Sequence, residues 1–315
     1  MIRATTGAAT LLVALGGVAQ AQPAQQVIIS FDGALHNEQW ERSRTLARET
    51  GARFTYFLSC VYLVSREHRA TYRPPGRQAG ASNVGFGFST ADVAARLDHI
   101  WQARAEGHEM ASHGCGHFDG AAWSAADWTK EFAEFDRILA DAWEINAIEG
   151  EPEGWREFAG TGITGFRAPY LATGPGLFAA LASRGFTYDA STVSREPAAA
   201  SAGDDPIRFA LPMIPEGTNR RRVLAMDYNF FVRHTGGTET PDTEGEYEDR
   251  AFTAFMSAFR TQYAGERVPL QVGMHFTLMN GGAYWNALER FARVVCVKPD
   301  VDCISYQDAV RGLGD

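Results

Sequence analysis

Beyond its first 21 positions the sequence has no run of apolar residues long enough to cross a bilayer, which takes about 20. It also lacks an excess of positive charge. The formal net charge is -9, and setting aside Arg3, the one charged residue among the first 21, leaves -10. Phosphate backbones are held by clustered Lys and Arg, so an acidic chain argues against nucleic acid as a partner. No internal repeat and no Pro/Ser-rich linker divides the 315 residues, and one large α/β domain is expected. With 45% hydrophobic and 21% charged residues, the composition excludes a disordered, collagenous or coiled-coil chain. Cysteine is scarce, and the four present fit an oxidising compartment. Cys296 and Cys303 bracket a turn-rich loop that a disulfide can close. Cys60 and Cys115 remain, either as a second bridge or as two buried thiols.

What is present begins with an export signal. Arg3 supplies a positive start, Ala8 to Val18 an apolar stretch, and Ala19-Gln20-Ala21 the small-x-small pattern of a signal-peptidase site. Residues 1–21 are therefore expected to be a signal peptide, and 22–315 a mature periplasmic or secreted catalytic domain with no stable membrane insertion.

Along that domain, short apolar runs alternate with amphipathic helical patterns, the signature of a parallel α/β sheet or barrel. Strands are expected at Val27 to Phe31, Phe54 to Leu58, His108 to Ala111, Ile163 to Arg167, Thr187 to Asp189, Phe209 to Ile214, Val223 to Asp227 and Pro269 to His275. Helices are expected at Glu38 to Thr50, Ala91 to Glu106, Ser124 to Glu144, Pro175 to Ser183, Ala251 to Tyr263 and Trp285 to Val294. This is a distorted, incomplete (β/α) barrel of about seven strands. Tyr72 to Phe88 and Arg233 to Arg250 read as long loops.

The chemistry-bearing residues sit where these strands end. Asp32 closes the first strand, in Ser30-Phe31-Asp32-Gly33. His113 and His117 follow the third, four residues apart in a glycine-rich segment that can present two nitrogens to one metal ion. Arg167 and the Pro169-Tyr170 turn end a fourth strand, and His275 ends a late one inside an apolar run. Active sites of parallel α/β folds gather at the C-terminal ends of strands, so an Asp, a His pair, an Arg and a His at four such ends point to one site.

In order and spacing this set resembles the polysaccharide deacetylases of the NodB-homology type, over roughly residues 27 to 310. The family's Thr-Phe-Asp-Asp, His-Ser/Thr-x-x-His, Arg-x-Pro-Tyr/Phe and Leu-x-His motifs match Ser30 to Gly33, His113 to His117, Arg167 to Tyr170 and Met274 to Phe276. The segments from His108 to Phe132 and from Arg167 to Thr192 are similar to its chitin-deacetylase-like branch. The resemblance implies a metal-dependent hydrolase that removes acetyl groups from an N-acetylated glycan. His113 and His117 would hold a divalent ion, usually zinc in the family, that polarises the acetyl carbonyl and acidifies a water. Asp32 would be the general base, His275 the general acid, and Arg167 would orient Asp32. The Tyr170 backbone N–H would help hold the oxyanion. Asp189 is the expected partner of His275, with Asp227 as a second candidate at a strand end. Trp285, with Trp123, Phe118 and Tyr284, is expected to line a sugar-binding groove.

The sequence departs from the pattern at one position. Gly33 stands where the family has its carboxylate metal ligand, so Asp32 moves into that role, a side chain such as His36 completes the site, or the metal is weak or absent. The alternatives are O-deacetylation of a polysaccharide, a glycan-binding protein that has lost catalysis, and an amidohydrolase of small amides.

Overall fold

The computed structural model describes residues 22–201 and 203–313; the expected export signal lies outside them. Strand β1 (Gln25–Gly33) shows how the fold is built. Its side chains alternate between two cores, as strand geometry requires. Val27, Ile29 and Phe31 join the large core beneath the helices, whereas Ile28 joins a smaller core with Phe57, Ala111, Tyr188, Phe209 and Tyr306. The second core fills the inside of a curled sheet. Asp32 shares the parity of Ile28, so it faces inward at the strand's C-terminal end.

Helix α1 (Asn37–Thr50) leads from β1 to β2 (Thr55–Leu58), and α2 (Thr90–Ala105) from there to β3 (Glu109–Ser112). Helices α3 (Ala125–Ile145) and α4 (Trp155–Thr161) precede β4 (Gly165–Phe166), and α5 (Pro175–Arg184) precedes β5 (Tyr188–Ser194). Strands β6 (Ile207–Glu216) and β7 (Arg221–Leu224) follow, then α6 (Asp227–Thr235), α7 (Glu246–Ala264), β8 (Leu270–His275), α8 (Ala283–Val295), β9 (Val301–Ile304) and α9 (Tyr306–Gly312). Some helix ends carry their caps in the local sequence. Ser124 and Asp127 form a reciprocal capping box on α3, and Gly51 ends α1 in the left-handed conformation.

The strands form one sheet in the order β7-β6-β5-β4-β3-β2-β1-β8, with β9 also beside β1. All pairings are parallel except β6 with β7. The sheet curls until a parallel bridge between Met226 and Gly273 joins the exit of β7 to β8. A Cβ at Gly273 would lie 2.8 Å from Met226 Cε, the mobile end of that side chain, so the methionine packs directly over the glycine.

The incomplete barrel expected from the sequence is the architecture observed, with more strands than the seven or so anticipated. The β6–β7 hairpin adds a strand without an intervening helix. β9, only four residues long, lies in a stretch that reads as a turn-rich loop. The expected strand Val223 to Asp227 stops at Leu224, because Asp227 already opens α6. Helices α4, α6 and α9 have 7, 9 and 7 residues, too few turns for a sustained apolar period.

Candidate active site

The strand ends converge on a cavity of about 590 Å³ lined by Asp32, His113, His117, Tyr170 and His275. Asp32 and His275 are register partners on the adjacent strands β1 and β8, which places them side by side. Asp32 is only 4% exposed, and its Oδ1 accepts a 2.8 Å hydrogen bond from Arg167 Nη1. Burial by itself would raise the Asp32 pKa. The positive charges of Arg167, His113 and His275, with the Arg167 hydrogen bond, outweigh burial and hold it below the ordinary carboxylate value.

Arg167 is completely buried, and the interior satisfies it. Nη1 also donates to Ser30 Oγ (2.8 Å), Nη2 to Tyr306 Oη (2.8 Å) and Nε to the carbonyl of Ala190 (3.1 Å). Its guanidinium lies 4.3 Å from the centre of the Phe57 ring. Tyr306 Oη in turn donates to Gln271 Oε1 at 2.9 Å. The C-terminal helix α9 thus supplies the side chain that supports Arg167 from below.

His275 is paired with Asp227. Its Nδ1 and its backbone N each lie 2.7 Å from an oxygen of that buried carboxylate. Burial pulls the imidazole pKa down, but the Asp227 charge and hydrogen bond dominate and leave it above the ordinary value. With Nδ1 committed to Asp227, Nε2 is the nitrogen free to act. Asp189, expected in this role, is elsewhere. Its Oδ1 accepts from the backbone N–H and hydroxyl of Ser191, whose Oγ accepts from Ala168 N at 2.8 Å. Burial pushes the Asp189 carboxyl up to about 6. The strand register carries Asp189 to the neighbour of Phe166, where it braces the turn after Arg167.

The histidine pair is held by its loop. His113 Nδ1 lies 2.7 Å from the Arg167 carbonyl, which can only accept, so the proton is on Nδ1 and Nε2 carries a lone pair. Burial keeps the His113 pKa below its ordinary value. Burial, with the adjacent charges of His113 and His275, pushes His117 down to about 3. His117 adopts φ 53, and its ring centre is 5.2 Å from that of His113. Between them, Cys115 points away into a disulfide with Cys60. The N–H groups of Cys115 and Gly116 donate to buried Glu131 on α3, as does the Tyr72 hydroxyl. Gly116 has no room for a side chain, since a Cβ would sit 2.4 Å from Phe118 Cε2.

The groove aromatics expected from the sequence are mostly core. Trp285 is fully buried on the helix side of β8, stacked on Phe31 at 5.1 Å, and donates to the His275 carbonyl. An indole buried there cannot meet a sugar. Phe118 and Tyr284 are buried too, and half-buried Trp123 packs on Trp128. The aromatics exposed among the described residues are Phe88, Tyr170 and Tyr228. Each lies beside a histidine of the cavity, Tyr170 by His117, Tyr228 by His275 and Phe88 by His36. Neither Phe88 nor Tyr228 was singled out from the sequence, nor were Glu131, Ser191, Gln271 and Tyr306. For Ser30 a signal existed, its spacing of two residues from Asp32 on one strand.

No family model matches the chain, and no curated protein matches it. Solved structures do. A candidate polysaccharide deacetylase from Mycobacterium smegmatis superposes with a TM-score of 0.56 at 16% identity, over 94% of this chain and 93% of its own. Another from Pseudomonas aeruginosa PAO1 gives 0.56 at 15% identity, over 91% and 90%. The chain has the polysaccharide deacetylase fold. That fold is not confined to one named activity, because the PuuE allantoinase superposes with a TM-score of 0.54 at 17% identity, over 96% and 97%.

In a polysaccharide deacetylase fold a metal ion would be expected between the His pair and a carboxylate. The chain meets that requirement only in part. Among the described residues no three His, Cys, Asp or Glu side chains converge as a metal site requires. Gly33 has φ +86, a conformation that disfavours side chains, and a Cβ there would be 3.3 Å from Tyr62 Cε2. Asp32, the neighbouring carboxylate, is engaged by Arg167. Two imidazoles do not make the three-donor set that holds a catalytic metal.

Proposed function

We propose that this protein is a hydrolase that removes an acetyl group from an N-acetylated amino sugar, with Asp32 as base and His275 as acid. The observation that carries this reading is the pairing of those two groups across β1 and β8. Their environments push their pKa values in opposite directions, which favours the ionised carboxylate on Asp32 and the protonated imidazole on His275. Asp32 takes a proton from water as the water oxygen attacks the acetyl carbonyl carbon. His275 then delivers its Nε2 proton to the amide nitrogen as the C–N bond breaks, releasing acetate and an amine. Asp227 holds the imidazole in place and stabilises its charge. The backbone of Tyr170 is the proposed oxyanion donor.

The exposed rings of Phe88, Tyr170 and Tyr228 offer flat apolar faces at the site, which suits the C–H faces of sugar rings. The two disulfides, Cys60–Cys115 and Cys296–Cys303, support export to an oxidising compartment. No helix among the described residues is long and apolar enough to cross a membrane.

The test is acetate release from N-acetylglucosamine oligomers by the wild type, Asp32→Asn and His275→Ala, with and without added zinc. Release that both substitutions abolish supports the reading. Absence of release under all conditions overturns it in favour of a glycan-binding protein on the same fold, the reading that Gly33 favours. Release only from O-acetylated polysaccharide would identify an esterase.

A further inference from the structure

The cavity is more apolar than an acetyl group alone requires. A volume of about 590 Å³, which includes the mouth at Tyr170 and Tyr228, has room for a sugar ring together with an acyl chain longer than the single methyl of acetyl. Apart from Asp32 and the histidines, no charged side chain lines it. Its buried lining includes Ala168, Met226 and Phe276, and its half-buried wall includes Leu35, Leu171 and Leu224. Among the other lining side chains, only those of Asn229 and Thr277 and the tyrosine hydroxyls can serve a substrate's polar groups. Sugar hydroxyls pressed against such a wall would lose hydrogen bonds to water without replacement, a cost of a few kcal/mol each. Gly33 contributes to this character. It lines the cavity without a side chain, so position 33 adds neither charge nor a polar group there.

Resting on the hydrolase reading above, we propose that the cavity receives the acyl half of the substrate and that this acyl group is longer than acetyl. The preferred substrate is then an N-acyl amino sugar with a chain of several methylenes. The sugar sits at the mouth against Tyr170 and Tyr228, and the chain lies along Leu35, Leu171 and Leu224. The bond broken is the same amide, and the products are a fatty carboxylate and the amine.

The experiment measures kcat/KM, and separately equilibrium binding, for glucosamine oligomers N-acylated with acetyl, butyryl, hexanoyl and octanoyl groups. Leu171→Asn is the test variant. Leu171 has φ 53, a backbone conformation that Asn tolerates well, so the substitution makes the wall polar without straining the turn. The expected result is a rise of about fourfold in kcat/KM per added methylene until the cavity is full, flattened by Leu171→Asn. A fall with each added methylene, or a rise that Leu171→Asn leaves untouched, overturns the proposal. Affinity that climbs with chain length while no amide is cleaved would uphold the acyl cavity and refute the hydrolase reading. No hydrolysis together with no dependence of binding on chain length would refute both.

Discussion

Asp227→Asn keeps the size of the side chain that grips His275 but removes its charge. In the wild type, a fully buried carboxylate takes hydrogen bonds from both Nδ1 and the backbone N of His275, each at 2.7 Å. A hydrogen bond to a charged group is worth about 1.5–3 kcal/mol, which corresponds to roughly ten- to a hundredfold in rate. An acid must be protonated to act, so activity that depends on His275 is lost as pH rises through its pKa. Asp227 raises that pKa and so holds the alkaline limb of the profile at higher pH. The variant should therefore lose activity from a lower pH, and its deficit should reach the ten- to hundredfold range on the alkaline side. In acid, where both imidazoles carry their proton, the two enzymes should converge. The acid limb, set by Asp32, should stay where it is. The assay is a pH profile of kcat/KM for acetate release, with circular dichroism to confirm folding. A deficit equal at every pH, or an alkaline limb that does not move, would refute the role assigned to Asp227.

Asp32→Asn leaves Arg167 buried without its carboxylate; denaturant unfolding should show a loss of about 3–5 kcal/mol, and kcat/KM should fall about 10²- to 10⁴-fold. A variant that is inactive at full stability would contradict the account of Arg167. Gly33→Asp restores the family's carboxylate in sequence, but φ +86 and the nearby Tyr62 ring should cost about 1–3 kcal/mol. Elemental analysis should find no more zinc in it than in the wild type, and a stable variant with one zinc per chain would show that the backbone adapts. Replacing Cys60 and Cys115 together with Ser should lower stability by about 2–5 kcal/mol and depress kcat, because the loop carrying His117 loses its covalent tie. Unchanged thermal unfolding and kcat would show that Glu131 alone fixes the loop.

Much of this site was legible because a strand end is a local event. Asp32, His113, Arg167 and His275 each follow a short apolar run, and the topology of parallel sheets brings such positions together. The partner of His275 was harder to read, since Asp189 and Asp227 both follow strands and only the sheet order separates them. Asp189 lies across the curled sheet from β8, whereas Asp227 follows β7, whose exit bridges Gly273 on β8. The burial of Trp285 is hidden from the sequence for a related reason. It lies close to His275 in sequence, but α8 turns its indole to the outer face of the strand. Burial of that kind depends on which face a helix presents, and adjacency along the chain does not specify it. The short elements β9 and α9 left too little periodicity to be seen, although α9 supplies Tyr306 to the site.

Tyr306 ties the timing of assembly to the chemistry. The side chain that steadies Arg167 is separated from it by 139 positions, and β1, which carries Asp32, is flanked by β8 and β9 from the far end of the chain. Loops of that length close slowly. During synthesis Asp32 and Arg167 are made well before the residues that flank and support them, so the acid–base pair cannot be complete in a nascent chain. Tyr306 reaches Arg167 only once α9 has docked, so the support of the Asp32–Arg167 pair depends on a helix made long after the strands that carry the pair.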